Sequence, residues 1–310
     1  MTHFQSVFRV TDWQRYRREF ISFLRLEKSF SPNTVEAYLH DFDQLWSFSE
    51  QKGVDVCDVT LDVLQQLVSQ LNELGIAVST QCRIISAWRS FFKMMVLSGA
   101  INESPASLLD MPSRSQKLPD VLSDNDISAI QSTFDRSKPD QDRNYVIIEV
   151  LYGCGLRVSE LVNLKLSNIY VDDECLLIHG KGDKERWVPI NERALELLLY
   201  YIENIRVHQK IKEKEASYVF INRLGTRLSR NYIFMFLKNA VADAGISKHV
   251  SPHSLRHSFA TEMVQNGADL RAVQEMLGHE SISTTEIYTH LSKRFLRETI
   301  QIYHPHYSKR

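Results

Sequence analysis

The feature that most restricts the fold is an interruption one third of the way along the chain. Between Asn102 and Leu122 the sequence reads N-E-S-P-A-S-L-L-D-M-P-S-R-S-Q-K-L-P-D-V-L. Three prolines, Pro105, Pro112 and Pro119, remove backbone donors and bias the residue before each away from helix, while four serines favour turns. Such a stretch reads as a linker. A chain of 310 residues is also too long for one ordinary core, so two domains are expected: residues 1–104, a linker over 105–122, and residues 123–310.

The two sides differ in pattern. Residues 13–100 read as helices: Ser31-Pro32 pairs a capping hydroxyl with a proline suited to the first helical position. Val35, Tyr38, Leu39, Phe42, Leu45 and Trp46 then recur at helical spacing, and a second stripe holds Ile84, Ile85, Trp88, Phe91, Phe92 and Met95. These aromatics are expected to pack between helices. Arg83, Arg89 and Lys93 on the same helices are candidates for touching a phosphate backbone, with a solvated surface as the plain alternative. After the linker, Ser123-Asp124-Asn125-Asp126 carries a capping-box signature. Helical patterns near 140–152 and 157–165 lead into short strands from Ile169 to Ile190, with a tight turn at Gly180 to Asp183. Helices follow at 191–207, 229–244, 252–266 and 268–277, then an amphipathic stretch from about 292. The fold class is therefore mainly α with a small antiparallel β-sheet, in two domains.

Composition excludes several classes. At 43% hydrophobic and 24% charged residues this is the make-up of a soluble globular protein. No run approaches the ~18 apolar residues of a membrane helix, and the N-terminus lacks the apolar core of a signal peptide. Cys57, Cys82, Cys154 and Cys175 contain no C-x-x-C pair and read as reduced, buried thiols of a cytoplasmic protein. The 37 basic and 38 acidic residues give a net charge of -1, and neither side of the linker is basic. Averaged over the chain, this balance speaks against a nucleic-acid partner, because duplex binders usually carry a basic excess.

Four constellations carry chemistry. In S-P-H-S-L-R-H-S-F-A-T, residues 251–261, Ser251-Pro252 opens a helix that sets His253 and Arg256 three apart on one face and His257 four from His253. That histidine pair has metal-ligand spacing. Ser254, however, stands where a zinc hydrolase has its glutamate base, and no third ligand motif follows, so no metal is expected. L-G-H-E-S-I-S-T-T-E-I-Y-T-H, residues 277–290, offers His279 and, nine residues on, Tyr288. In G-C-G-L-R-V-S-E-L, residues 153–161, Arg157 opens a helix after a glycine-rich turn, with Glu160 one turn on. G-K-G-D-K-E-R, residues 180–186, puts a lysine at a hairpin tip; it is not a Walker loop, so ATP is not implied and no cofactor is expected.

Two arginines, a lysine, two histidines and a tyrosine, without paired carboxylates, suit a phosphoryl group. Arginine forks neutralise non-bridging oxygens and imidazole N–H groups add donors. A tyrosine hydroxyl, pKa ~10, becomes a nucleophile only where cations stabilise its phenolate or a base takes its proton. A lysine can protonate the leaving oxygen.

With all four motifs in order, the sequence resembles the tyrosine recombinases of the phage-integrase family, and most closely the bacterial Xer recombinases. The likeness spans nearly the whole chain, including the N-terminal S-P-N-T-V-E-A-Y-L-H-D-F. It implies Arg157 and Arg256 as phosphate-clamping arginines, and Lys181 as general acid with Lys184 as nearby competitor. His253 and His279 become donors to the phosphate or a base for the tyrosine, and Tyr288 the nucleophile of a 3′-phosphotyrosyl bond. Glu160 falls at an acidic position that orients active-site side chains, while His257 and His290 are structural. The family mechanism proceeds through a Holliday junction without metal or ATP.

The same resemblance implies double-stranded DNA held in a C-shaped clamp. Four protomers, identical or of two kinds, would assemble on two sites, with the tail K-R-F-L-R-E-T-I-Q-I-Y, residues 293–303, docked onto the next protomer or packed on its own domain. It leaves open a paralogous recombinase as partner and a DNA translocase as activator. Chromosome dimer resolution is the leading role. An integrase of a phage or mobile element shares the chemistry, and a type IB topoisomerase shares it without pairing two sites. A non-catalytic DNA-binding regulator would have lost one of the six residues, all of which are present. On this reading the neutral net charge averages a cationic face, to which Arg223, Arg227 and Arg230 are assigned, against acids elsewhere.

Overall fold

The computed structural model describes residues 3–113, 120–180, 184–278 and 291–307, with side chains described over 12–113, 120–180, 184–278 and 295–306. It divides into two compact units, Met1–Lys117 and Leu118–Arg310. Among the described residues no helix is long and apolar enough to cross a membrane.

The first unit is helical: α1 His3–Ser22, α2 Pro32–Gln51, α3 Leu61–Glu73 and α4 Val78–Leu97. The start of α2 follows its local chemistry, since Ser31 Oγ accepts the Thr34 N–H at 3.3 Å and Pro32 takes the first helical position. The two aromatic stripes meet in one core, where Trp13, Phe20, Phe42, Trp88 and Phe91 are buried. Phe42 and Phe91 lie edge to face at 4.8 Å, and Trp13 stacks on Trp46 at 6.3 Å, the arrangements a ring quadrupole favours.

Two of the basic residues assigned to a DNA surface are bonded inside this unit. Arg83 donates to the buried carboxylate of Asp41 and, at 3.1 Å, to Ala37 O. Arg89 donates to Ala106 O at 3.2 Å and Leu109 O at 2.6 Å. Lys93 is exposed. The Arg89 bonds also show that the described ends of the expected linker, residues 105–113 and 120–122, are packed rather than free. Ala106 and Leu109 are buried in the first core, and the Cys82 thiol donates to Pro112 O at 3.6 Å. At the far end, Leu122 N–H donates to Ser258 Oγ at 2.8 Å and Leu122 is buried in the second unit. Prolines remove donors but leave carbonyls, and Arg89, Cys82 and Lys248 donate to those of Ala106, Leu109, Pro112 and Val121. Of the cysteines expected to be buried, Cys82, Cys154 and Cys175 are, whereas Cys57 is exposed beside Tyr16.

The second unit comprises α5 Asp124–Ser132, α6 Pro139–Cys154, α7 Val158–Val162, strands β1 Ile169–Tyr170, β2 Cys175–His179 and β3 Glu185–Pro189, then α8 Glu192–Asn204, α9 Arg230–Asp243, α10 Pro252–Gln265, α11 Leu270–Leu277 and α12 Leu291–Tyr303. The strands form one antiparallel sheet in the order β1-β2-β3, with Leu176 opposite both Ile169 and Val188. Helix α6 is central, carrying buried Val146, Ile147, Val150 and Leu151 into a core shared with Leu176, Val188, Leu198 and Leu237. Helix α7 stops short of the expected 165 because Leu164 O accepts the Val219 N–H at 2.9 Å and Leu166 N–H donates to Ser217 O at 2.9 Å. That pairing draws the backbone out of the helix.

The C-terminal tail covers its own unit. Leu296 and Ile300 are buried with Phe259, Met263, Val273 and Met276 from α10 and α11. His304 is buried too, and His306 Nδ1 lies 2.8 Å from Glu149 Oε1 in α6. The tail thus packs on its own unit, the plainer of the two expectations for residues 293–303.

Candidate active site

Helix α6 ends at Gly155, whose φ of +59° is a left-handed conformation that glycine adopts without strain. Its carbonyl turns inward and accepts Arg256 Nη1 at 2.7 Å. A Cβ at this position would stand 2.5 Å from the Phe259 ring, so the close approach of the turn to α10 also requires glycine. Two residues on, Arg157 precedes α7, and Glu160 reaches back to accept its N–H at 2.8 Å. The same carboxylate accepts Arg157 Nη1 at 2.9 Å. The spacing R-x-x-E therefore closes as a local clasp between a helix start and the acid one turn later.

Arg256 comes from α10, which Ser251 and Pro252 open as expected, Ser251 Oγ accepting the Ser254 N–H at 3.2 Å. It is 4% exposed, donates to Gly155 O and to Leu277 O, and its Nη1 lies 3.9 Å from Glu160 Oε2. Burial, then the neighbouring charges of Arg157 and Arg186, push its pKa down to about 10. His253, on the first turn of the same helix, is exposed.

One participant was not singled out by the motif reading. Arg186 of β3 forks onto Glu160, Nη1 to Oε1 and Nη2 to Oε2, both at 2.8 Å, and its Nε donates to Met276 O at 2.8 Å. The signal lay in the chemistry of Glu160. It is 5% exposed, and burying a carboxylate demands full compensation. Burial alone would raise its pKa, but the Arg186 fork and the bonds from Arg157 outweigh that and hold it below the ordinary carboxylate range.

The structure thus brings Arg157, Glu160 and Arg256 together, with Arg186 as a fourth member. Lys181, His279 and Tyr288 lie outside the described residues, as does His290. The hairpin expected around Lys181 is supported on its flanks, where His179 pairs with Glu185 and Gly180 N–H donates to Lys184 O at 2.7 Å. Lys184 is exposed. Among the described residues no group of three or more His, Cys, Asp or Glu could hold a metal ion. Elsewhere, Arg223 pairs with Asp140 at 3.0 Å while remaining 85% exposed, Arg227 binds Asn163 and lies over the Tyr218 ring, and Arg230 is exposed.

Chemically, three guanidinium groups surround one carboxylate, an excess of positive charge among the described residues at a partly desolvated site. Arg157 is 40% exposed at its side chain against 5% for Arg256, so it offers its remaining donors outward. An anion with several oxygens fits that arrangement.

Comparison with known proteins places the chain in a family. Residues 120–294 match the phage integrase family, and residues 18–99 match the phage integrase N-terminal SAM-like domain. The chain is 39% identical over 288 residues to the tyrosine recombinase XerD of Staphylococcus aureus strain N315, covering 93% of this chain and 97% of the relative. XerD of Staphylococcus saprophyticus is 38% identical over the same coverage. Among solved structures, a XerH site-specific recombinase in a post-cleavage complex with its palindromic difH substrate aligns with a TM-score of 0.66 at 25% identity, over 86% of this chain and 79% of that one. The Tn1549 transposon integrase bound to circular-intermediate DNA shares the fold, with a TM-score of 0.67 at 20% identity over 90% and 98% of the two chains. Matched in both domains and along nearly its whole length, the chain belongs to the phage integrase family, as a site-specific tyrosine recombinase of Xer type.

Proposed function

We propose that this chain cuts and rejoins double-stranded DNA at a specific chromosomal site, and that its role is the resolution of chromosome dimers. The observation that carries the reading is the charge excess at Glu160, where three arginines meet one carboxylate. A phosphodiester supplies the missing negative charge and two non-bridging oxygens for the forks of Arg157 and Arg256. The Tyr288 oxygen attacks phosphorus as the bond to the 5′-oxygen breaks. The phenolic proton passes to His253 or His279, and Lys181 or Lys184 delivers a proton to the departing 5′-oxygen. The 3′-phosphotyrosyl linkage retains the energy of the phosphodiester, so a partner 5′-hydroxyl can reverse the step without ATP. One pair of exchanges yields a Holliday junction and a second resolves it.

The DNA-bound state of the XerH neighbour supports DNA as the substrate. Exchange between two sites requires four protomers, of one kind or shared with a paralogue, and a DNA translocase is the activator we assign. If the tail contacts a neighbouring protomer in that assembly, it first leaves the position it holds over Phe259 and Glu149.

The test is a nicked suicide duplex carrying the chromosomal site that the full chain footprints. A covalent protein–DNA adduct is expected from the unsubstituted chain and none from Tyr288→Phe. Absence of the adduct, or its persistence in Tyr288→Phe, overturns the mechanism. Deletion in the host separates the roles: unresolved chromosome dimers are expected, whereas normal segregation with loss of a mobile element's movement would reassign the enzyme.

A further inference from the structure

Arg186 is a third arginine at a site whose motifs name two. It lies on β3 opposite Ile178, and its side chain is 12% exposed against 40% for Arg157, so it stands behind the clamp. Among the described residues its guanidinium bonds to Glu160, which holds Arg157, and to the helix end whose carbonyls accept from Arg157 and Arg256. Its fork takes both oxygens of Glu160 at 2.8 Å, and Glu160 in turn holds Arg157 through a side-chain bond of 2.9 Å and a backbone bond of 2.8 Å. Its Nε takes Met276 O at 2.8 Å, and the next two carbonyls of that helix end, Leu277 O and Gly278 O, accept from Arg256 and Arg157. Gly278, at φ +64°, sits against the same side chain, since a Cβ there would be 3.0 Å from Arg186 Cδ.

The arrangement has a mechanical consequence. The two bonds from Arg157, whose side chain is 40% exposed, leave the Glu160 carboxylate free to move with that residue, and the helix end at 276–278 is tied to Glu160 through these guanidinium groups. A bidentate fork from a fixed strand removes that freedom, because two parallel N–H···O bonds define a plane as well as a distance. We propose that Arg186 is a positioning residue for strand cleavage: it orients Glu160 and the end of α11, and through them the phosphate-facing forks of Arg157 and Arg256. The proposal rests on the phosphodiester-cleavage reading above.

The test compares Arg186→Gln and Arg186→Lys with the unsubstituted chain on the footprinted nicked duplex, made with an ordinary scissile phosphate and with a neutral methylphosphonate there. Arg186→Gln is expected to slow adduct formation by about 10–100-fold on the phosphate, as for groups that orient metal ligands. Non-covalent binding of the duplex stays unchanged, and Arg186→Lys, with charge but no fork, falls between. On the methylphosphonate the defect shrinks, because a clamp without its anionic oxygen gains little from being aimed. Combined with Glu160→Gln, Arg186→Gln slows the reaction by no more than about threefold beyond the slower single variant, as expected for residues acting as one unit. Equal defects on both backbones, multiplicative effects, or cleavage by Arg186→Gln at the unsubstituted rate overturn the positioning role alone. If Arg186→Gln does not fold, Arg186→Lys carries the same comparison. Absence of any adduct from the unsubstituted chain overturns the cleavage reading, and the role of Arg186 with it.

Discussion

A guanidinium and an ammonium carry the same charge, and the difference between them is what the site is built on. Arg256 bridges Gly155 O and Leu277 O from a buried side chain, so it ties the α6 turn to the end of α11 while keeping further N–H groups for a ligand. A lysine there reaches one carbonyl and leaves the other buried and unpaired, at a cost of about 1–3 kcal/mol. It also lacks the second donor for a phosphate oxygen, and removing such a donor costs about 100–1000-fold in rate by analogy with an oxyanion hole. Arg256→Lys is expected to show both losses, read as single-turnover cleavage of the nicked duplex and as the urea midpoint. Cleavage at the unsubstituted rate would refute the argument. Arg157, Glu160 and Arg256 were legible because each sits at fixed spacing from a helix start. Arg186 was not, although it ends the motif G-K-G-D-K-E-R, because its partners Glu160 and Met276 lie 26 and 90 residues away.

Helix starts are local in the same sense, and the chain writes them in its capping residues. Ser31, Ser123 and Ser251 each accept a backbone N–H three residues on, which is why α2, α5 and α10 begin where expected. Ends and docking positions depend on distant partners: α7 stops where Leu164 and Leu166 pair with Val219 and Ser217, and the tail settles on α6 through His306 and Glu149. That docking carries a pH dependence. His304 is 1% exposed beside His306, Tyr152 and Phe259, with Glu149, Asp124 and Glu262 around the same cluster. Burial first, then the neighbouring His306, lowers its pKa to about 3. A folded pKa below the unfolded one means that the undocked tail binds a proton the docked tail refuses. The contribution is complete above the unfolded value of about 6.5 and falls by about 1.4 kcal/mol per pH unit as the pH drops toward the folded value. Glu149, held low by His306 against its burial, adds its own loss only as the pH falls below the ordinary carboxylate value. Between pH 8 and 5 the tail should therefore lose about 2 kcal/mol, or about 30-fold in hydrogen-exchange protection over residues 295–306. His304→Gln should flatten that dependence; a profile unchanged by the substitution would exclude His304 as its origin.

At the scale of the whole molecule, net charge and local charge give opposite answers about the partner. The chain sums to -1, with 11 basic and 13 acidic residues up to position 115 and 26 and 25 beyond it, so neither unit attracts DNA by its total. Attraction therefore has to come from short-range contacts, and the site cluster shows how charge is concentrated locally. Such contacts release counterions from the duplex whatever the net charge of the protein. Affinity for the footprinted duplex should fall by about 100-fold between 50 and 200 mM salt if roughly four phosphates are neutralised. The individual basic residues then separate by their surroundings. Lys93 and Arg230 are exposed, and neutralising either as glutamine should reduce the log–log salt slope by about 1 with stability unchanged. Arg83 already serves the buried carboxylate of Asp41, so Arg83→Gln should lower the unfolding midpoint and leave the slope within its error. Titrations by fluorescence anisotropy at several salt concentrations read both quantities. A flat salt response would mean that the duplex is held without counterion release, which a site carrying three arginines over one acid cannot do.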